Sequence, residues 1–241
     1  MAKLPETVEA VLNDPIEKYI LLSTSHDASQ SLEISTTPIR VVCANTLRFA
    51  LRNAQYRVRV RHTASIKDRA VEVRRALNLS EAYFALMMEG IERLAQIPMR
   101  DSHVVEYAKA VLNVNPEKDG NRLTTEAIDR FVELYYAGRG QDIPGVRGTA
   151  YAGFNAATEY LDNFARVKTD DYIWTQNSVE AQDHRLYRSW FGKGQQFRDR
   201  AFKLAQSYGT DGLKAFEGVY IPRNTRRAGL ANDVGTPTLE I

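Results

Sequence analysis

The sequence predicts an α+β fold, with a small antiparallel sheet in the N-terminal third followed by a mostly helical region. Three observations lead there. Stretches alternating polar and β-branched residues are confined to about the first 63 positions. Beyond them, capping-box patterns precede runs with apolar residues three and four apart. The chain has 241 residues, 44% hydrophobic and 26% charged, enough to bury a core.

The elements follow in order. After an acidic lead-in over residues 5–17, Tyr19–Ser23 and Ser31–Cys43 are predicted strands, separated by the polar turn Thr24–Gln30. Leu32, Ile34, Ile39, Val41 and Val42 give the second its strand character, and Pro38 predicts a bend or an edge within it. "ANTLRFALRNAQ" then switches to helical period, with Arg48 and Arg52 four apart on one face. Residues 56–62 return to period two as a third strand.

Ser65-Ile66-Lys67-Asp68 predicts a helix to about Leu77, and Asn78-Leu79-Ser80-Glu81 predicts another to about Gln96. Helices over Asp101–Leu112 and Thr125–Tyr136 come next, divided by the turn-rich Asn113–Arg122. Gly138, Gly140, Gly145 and Gly148 with Pro144 mark a loop. Thr149–Val167 is a further helix, and Val179–Tyr208 holds one or two, interrupted at Gly192-Lys193-Gly194. These elements are expected to form one domain over 1–217. The sheet and basic segment occupy about 17–63 and the helical region about 64–217. The tail 218–241 is expected to fray or to dock on a partner.

Several function classes are disfavoured. The longest apolar run, Ala82–Met88, is far short of the roughly 20 residues a membrane span needs. Met1-Ala2-Lys3-Leu4-Pro5-Glu6 has no apolar signal region. The single cysteine, Cys43, excludes an internal disulfide and fits a reducing cytosol, so a cytoplasmic protein without membrane contact is expected. Cys43 and the four histidines, His26, His62, His103 and His184, show no zinc spacing.

Charge is informative by position. The net value is only +2, yet residues 40–75 carry ten Lys/Arg against Asp68 and Glu72. Within that segment "QYRVRVRHT" places Arg57, Arg59 and Arg61 at alternate positions. Alternate strand residues share a face about 6.7 Å apart, close to one step of a stretched single nucleic-acid strand. Guanidinium groups suit phosphate oxygens because they donate bidentately. Tyr56 and Phe49 lie beside the stripe as stacking candidates. The bland reading is an edge strand carrying charge against aggregation, or ion pairs with the acidic segments.

Other candidate chemistry is sparser. His26 and Asp27 adjoin in a turn and could support general-base chemistry, although Asp27 as a turn cap explains them as well. In "GTAYAGFNAATEYLDNF", Asn155, Glu159 and Asp162 fall on one helical stripe, with Phe154, Ala157, Leu161 and Phe164 opposite. That stripe could hold a hard cation such as Mg²⁺, receive the arginines as ion pairs, or face solvent. No cofactor is otherwise indicated. Gly192-Lys193-Gly194 lacks the Walker pattern. Tyr187, Trp190 and Phe191, with Arg185, Arg188, Arg198 and Arg200, could form a second nucleic-acid surface or simply pack as core.

Three blocks, "SHDAS…TTPIRVVCANTLRFAL…VRHTAS", "GTAYAGFNAATEYLDNF" and "GKGQQFRDRAFKLA", resemble the phage/plasmid-like proteins classed as domain of unknown function 932. The resemblance covers about residues 17–206. It departs at Ala28, where the family has glycine, and at Asn163, where it has histidine. It implies a mobile-element origin and a cytoplasmic setting, with no assigned activity. It also implies that this chain begins inside the family's sheet, as a shortened member.

The expected function is therefore binding of nucleic acid, preferentially single-stranded DNA, in recombination or replication, through Arg40, Arg48, Arg52, Arg57, Arg59 and Arg61. An alternative is a protein-interaction module, such as an inhibitor of a host defence complex, whose arginine stripe meets an acidic host surface. Another is a metal-dependent nuclease or hydrolase using His26, Asp27, Glu159 and Asp162. If the sheet is truncated, Tyr19–Ser23 has a bare edge, to be covered by the acidic lead-in or by a second copy in a homo-oligomer.

Overall fold

Alternation near the N-terminus builds an antiparallel sheet. The computed structural model describes residues 2–23, 32–42, 45–46, 57–60, 66–119, 122–165, 167–168, 173–174 and 193–221. Within these, β1 (Ala2–Glu9), β2 (Pro15–Ser23), β3 (Leu32–Arg40), β4 (Asn45–Thr46) and β5 (Arg57–Val60) form one sheet. β3 is the middle strand. β2 runs along one side of it, while β4 and β5 share the other, at Ile39–Arg40 and Leu32–Ser35 respectively. Ile34 to Pro38 are buried. Pro38 lies inside this strand without an edge of its own. On the side away from β2, no described strand pairs with Thr36 to Pro38, so the missing N–H removes no ladder bond there.

The acidic lead-in supplies β1, which pairs antiparallel along β2 from Ala2↔Ile20 to Glu9↔Pro15. Of the Tyr19–Ser23 edge that was expected to be bare, Tyr19 and Ile20 are thus covered within the chain, by Lys3 and Ala2, and the described pairing stops before Leu21. The connecting turn uses Asn13 at φ 64, a left-handed conformation that asparagine tolerates, and the Asp14 N–H donates back to the Val11 carbonyl.

The other described elements are mostly helical: α1 (Ile66–Ala95), α2 (Asp101–Leu112), α3 (Pro116–Asp119), α4 (Arg122–Ala137), α5 (Ala150–Glu159) and α6 (Lys193–Asp211), with a 3₁₀ turn over Gly212–Phe216. One minor hairpin pairs β6 (Val167–Lys168) with β7 (Ile173–Trp174). The class is α+β, as the period change predicts. Two details differ. Asn78-Leu79-Ser80-Glu81 opens no new helix, because α1 continues through it for 30 residues. The residues past Gly218 pack on their own chain as far as Ile221. Asn113, the left-handed cap of α2 at φ 51, donates to the Ile221 carbonyl and accepts from its N–H.

Helix α5 is the centre of the helical layer and touches α1, α2, α4, α6 and β4. All ten of its residues are buried, so the stripe bearing Asn155 and Glu159 does not face solvent. Small side chains make this possible. A Cβ on Gly153 would come within 2.9 Å of the Tyr107 ring, so glycine lets α2 approach closely. Phe154 packs edge-on to Phe202 of α6, and Tyr107 to Phe131 of α4.

Candidate functional site

Polar groups meet where the sheet ends against α5. Arg40, the last residue of β3, is fully buried. Its Nε donates to Asp14 Oδ1 and Oδ2 at 2.7 and 2.9 Å. Nη1 and Nη2 each donate at 2.9 Å, to the carbonyls of Arg139 and Gly140. The Tyr151 hydroxyl of α5 donates to Asp14 Oδ2 at 2.9 Å. Gly140 sits at φ 71, and a Cβ there would come within 2.8 Å of Arg40 Nη2. Only glycine combines that backbone with that approach. Burying this ion pair is tolerable because carbonyls and a hydroxyl satisfy much of what Coulomb attraction alone would not.

One and two turns further along α5, the polar groups are not satisfied. Asn155 is 1% exposed and neither its Nδ2 nor its Oδ1 has a hydrogen-bond partner. Glu159 is also buried, and its Oε2 has none. Its carboxyl accepts from the Arg139 backbone N–H, which with the charges of Arg139 and Arg40 favours the ionised form, but burial outweighs them and raises the pKa above 4.5. A Cβ on Gly138 would reach to 2.8 Å of Oε2, so the backbone crowds that oxygen without donating to it. Each buried polar group left unpaired costs about 1–3 kcal/mol.

Glu159 also precedes a change of helical pitch. Tyr160–Phe164 is a π-helical turn, closed by the Ala165 N–H donating to the Tyr160 carbonyl at 2.8 Å. Such turns interrupt α-helices mostly as single insertions, frequently at functional positions. Asn163, where the resembled family has histidine, is exposed and donates to the Glu159 carbonyl.

The structure separates the residues singled out from sequence. Asp162 is paired with Arg198, whose side chain is fully buried, so it does not complete a carboxylate set with Glu159. Among the described residues no group of three or more His, Cys, Asp or Glu could hold a metal ion. Arg40 is enclosed by Asp14, Tyr151 and the Arg139–Gly140 carbonyls and offers no surface to a phosphate. Arg198 likewise faces inward, and Arg200 donates to Asn113 and to the Val219 carbonyl. Arg57 and Arg59 lie on β5, opposite Ser35 and Glu33 in register. Arg48, Arg52, Arg61, His26 and Asp27 lie outside the described residues, as do Tyr187, Trp190 and Phe191. Asp14 and Tyr151 were not anticipated. Tyr151 is four residues before Asn155 and so on the same stripe, but nothing marks Asp14 among the acidic residues of the lead-in.

The fold and this buried polar seam define an α+β protein in which a small sheet is tied to one central helix through an arginine–aspartate–tyrosine network. The family model described as Domain of unknown function (DUF932) matches residues 1–190, and the chain belongs to that family. The match takes in β1 and ends just before "GKGQQFRDRAFKLA", the third resembling block. No curated protein and no solved structure matches the chain. No described helix is long and apolar enough to cross a membrane.

Proposed function

We propose that this protein binds nucleic acid, with a preference for single strands, through β5 and the basic segment around it. The observation that carries this is the placement of charge. Residues 40–75 hold ten Lys/Arg and two acidic residues, and β5 brings Arg57 and Arg59 to the border of the sheet, where β3 is its only described partner strand. Period two sets both arginines on one face, opposite Ser35 and Glu33, with Val58 and Val60 opposite Ile34 and Leu32. Arg48, Arg52 and Arg61 belong to the same segment. Arg40 does not belong to the surface, since its role is internal. A place in the recombination or replication of a mobile element fits this reading.

The test is a salt series against single-stranded DNA, duplex DNA and RNA. Replacing Arg57, Arg59 and Arg61 with glutamate is expected to abolish binding while circular dichroism stays native. Each lost contact should flatten the logarithmic salt slope by about 0.7 on single strands. Unchanged affinity in a folded triple variant removes β5 from the interface.

A further inference from the structure

We infer that Asn155 and Glu159 form an internal binding site for a compact neutral ligand group that presents a hydrogen-bond donor and acceptor side by side, as an amide edge does. The inference stands apart from the phosphate reading and uses none of its arginines. Asn155 is 1% exposed, yet both ends of its amide are without partners. Whichever way the amide is turned, one end needs an acceptor and the other a donor. Glu159 Oε2, one helical turn on, needs a donor when ionised.

The chemistry narrows the class. A metal ion cannot accept from the asparagine N–H, and Asp162, the next carboxylate on the stripe, is taken by Arg198. A free cation is opposed by Arg40 and Arg139, the charged groups that act on Glu159. An anion is opposed by Glu159 itself. A neutral group with an –NH₂ beside a carbonyl or ring nitrogen, two donors and one acceptor, matches Asn155 Oδ1, Glu159 Oε2 and Asn155 Nδ2. Asparagine pairs bidentately with such edges and glutamate accepts from exocyclic amines. Two sources share this chemistry, a primary carboxamide and the edge of an unstacked nucleobase. Near-complete burial implies that the ligand enters by local opening, and the π-helical turn directly after Glu159 is where the helix ladder already departs from α geometry.

The full chain is titrated with acetamide and with cytosine, against acetate and ammonium at equal ionic strength, following melting temperature and the Asn155 side-chain amide resonances. The expected result is a saturable resonance shift and a raised melting temperature with acetamide, cytosine or both, but not with the ions. Response to acetamide alone assigns a carboxamide, and response to cytosine a base edge. Asn155→Leu should weaken the responding probe at least tenfold, and Glu159→Gln should also weaken it. If no neutral probe shifts the native resonances, these polar atoms are met by ordered water only and the inference fails. Equal binding by Asn155→Leu overturns it as well. The resonance measurement needs no variant, so it decides the matter even where a substitution prevents folding. Charge reversal of Arg57, Arg59 and Arg61 should leave the response to acetamide or cytosine unchanged, which keeps failure here distinct from failure of the phosphate reading.

Discussion

The two ends of the polar stripe on α5 differ in a way their sequence spacing does not reveal. At Tyr151 the stripe meets Asp14 and Arg40 from the sheet, and the charged pair is closed by contacts of 2.7 to 2.9 Å. At Asn155 and Glu159, equally buried, three side-chain atoms are without partners. The first end is what a structural network looks like when it joins two layers. The second carries a standing energetic penalty that packing alone does not explain, and a polar group that is buried and unpaired is a reasonable place to look for a ligand.

Breaking the satisfied end should have the larger effect. Asp14→Ala leaves the Arg40 guanidinium buried without its counter-ion, and a loss of about 3–5 kcal/mol is expected in urea unfolding. Tyr151→Phe removes only the hydroxyl that donates to Asp14 and should cost about 1.5–3 kcal/mol. If Asp14→Ala unfolds at the native urea midpoint, the network does not hold sheet and helix together. The unsatisfied end should answer in the opposite direction. Asn155→Leu keeps the shape and removes two unpaired polar atoms, so ligand-free protein should gain about 1–3 kcal/mol. A loss of that size would mean that Asn155 is satisfied in solution.

The contrast sharpens with pH. Burial, the dominant influence, raises the Glu159 pKa above its ordinary 4.5, so the folded protein holds this proton to higher pH than the unfolded chain. Its contribution to stability is therefore fully present below the unfolded value and is lost as pH rises through the folded one. Glu159→Gln should remove that decline. Stability against pH should be flatter in the variant above about pH 4.5, with the two proteins diverging in favour of the variant as pH rises. Parallel curves would show that the carboxyl is not desolvated.

Legibility in the sequence follows the same division. Period two in Leu32–Arg40 and the helical spacing of Asp101–Leu112 are local signals, and both elements form where local physics puts them. The capping box at Asn78–Glu81 opens no helix, since α1 runs through it from Ile66 to Ala95, and a local capping pattern does not by itself force a break. The stripe of Asn155, Glu159 and Asp162 was readable as a shared face. Its burial was not, because that depends on five other elements closing around α5. Arg40 shows the limit most clearly. In sequence it is one arginine of a basic segment, and only the return of β1 through Asp14 converts it to an internal partner.

The smallest expected effect concerns the sheet edge. Leu22 is 56% exposed near the end of β2, two residues past Ile20, where the pairing with β1 ends. Over Pro15–Ile20 any further strand would have to pair with β1 instead, and β1 is poorly suited to it. Pro5 removes one donor, the register slips between Lys3 and Thr7, and Lys3, Glu6 and Glu9 put charge along the strand. Lys3 and Lys18 are moreover paired with Glu17 and Glu6, which fastens β1 to β2 across the strands. Leu22→Lys is therefore expected to change stability by no more than about 0.5 kcal/mol and to leave the sedimentation coefficient unaltered. Leu21→Lys is unsuitable for this purpose, since Leu21 is buried and a lysine there would test the core. A Leu22→Lys variant that sediments more slowly than the native chain would show that the end of β2 joins copies of the protein, although β1 closes the edge in cis as far as Ile20.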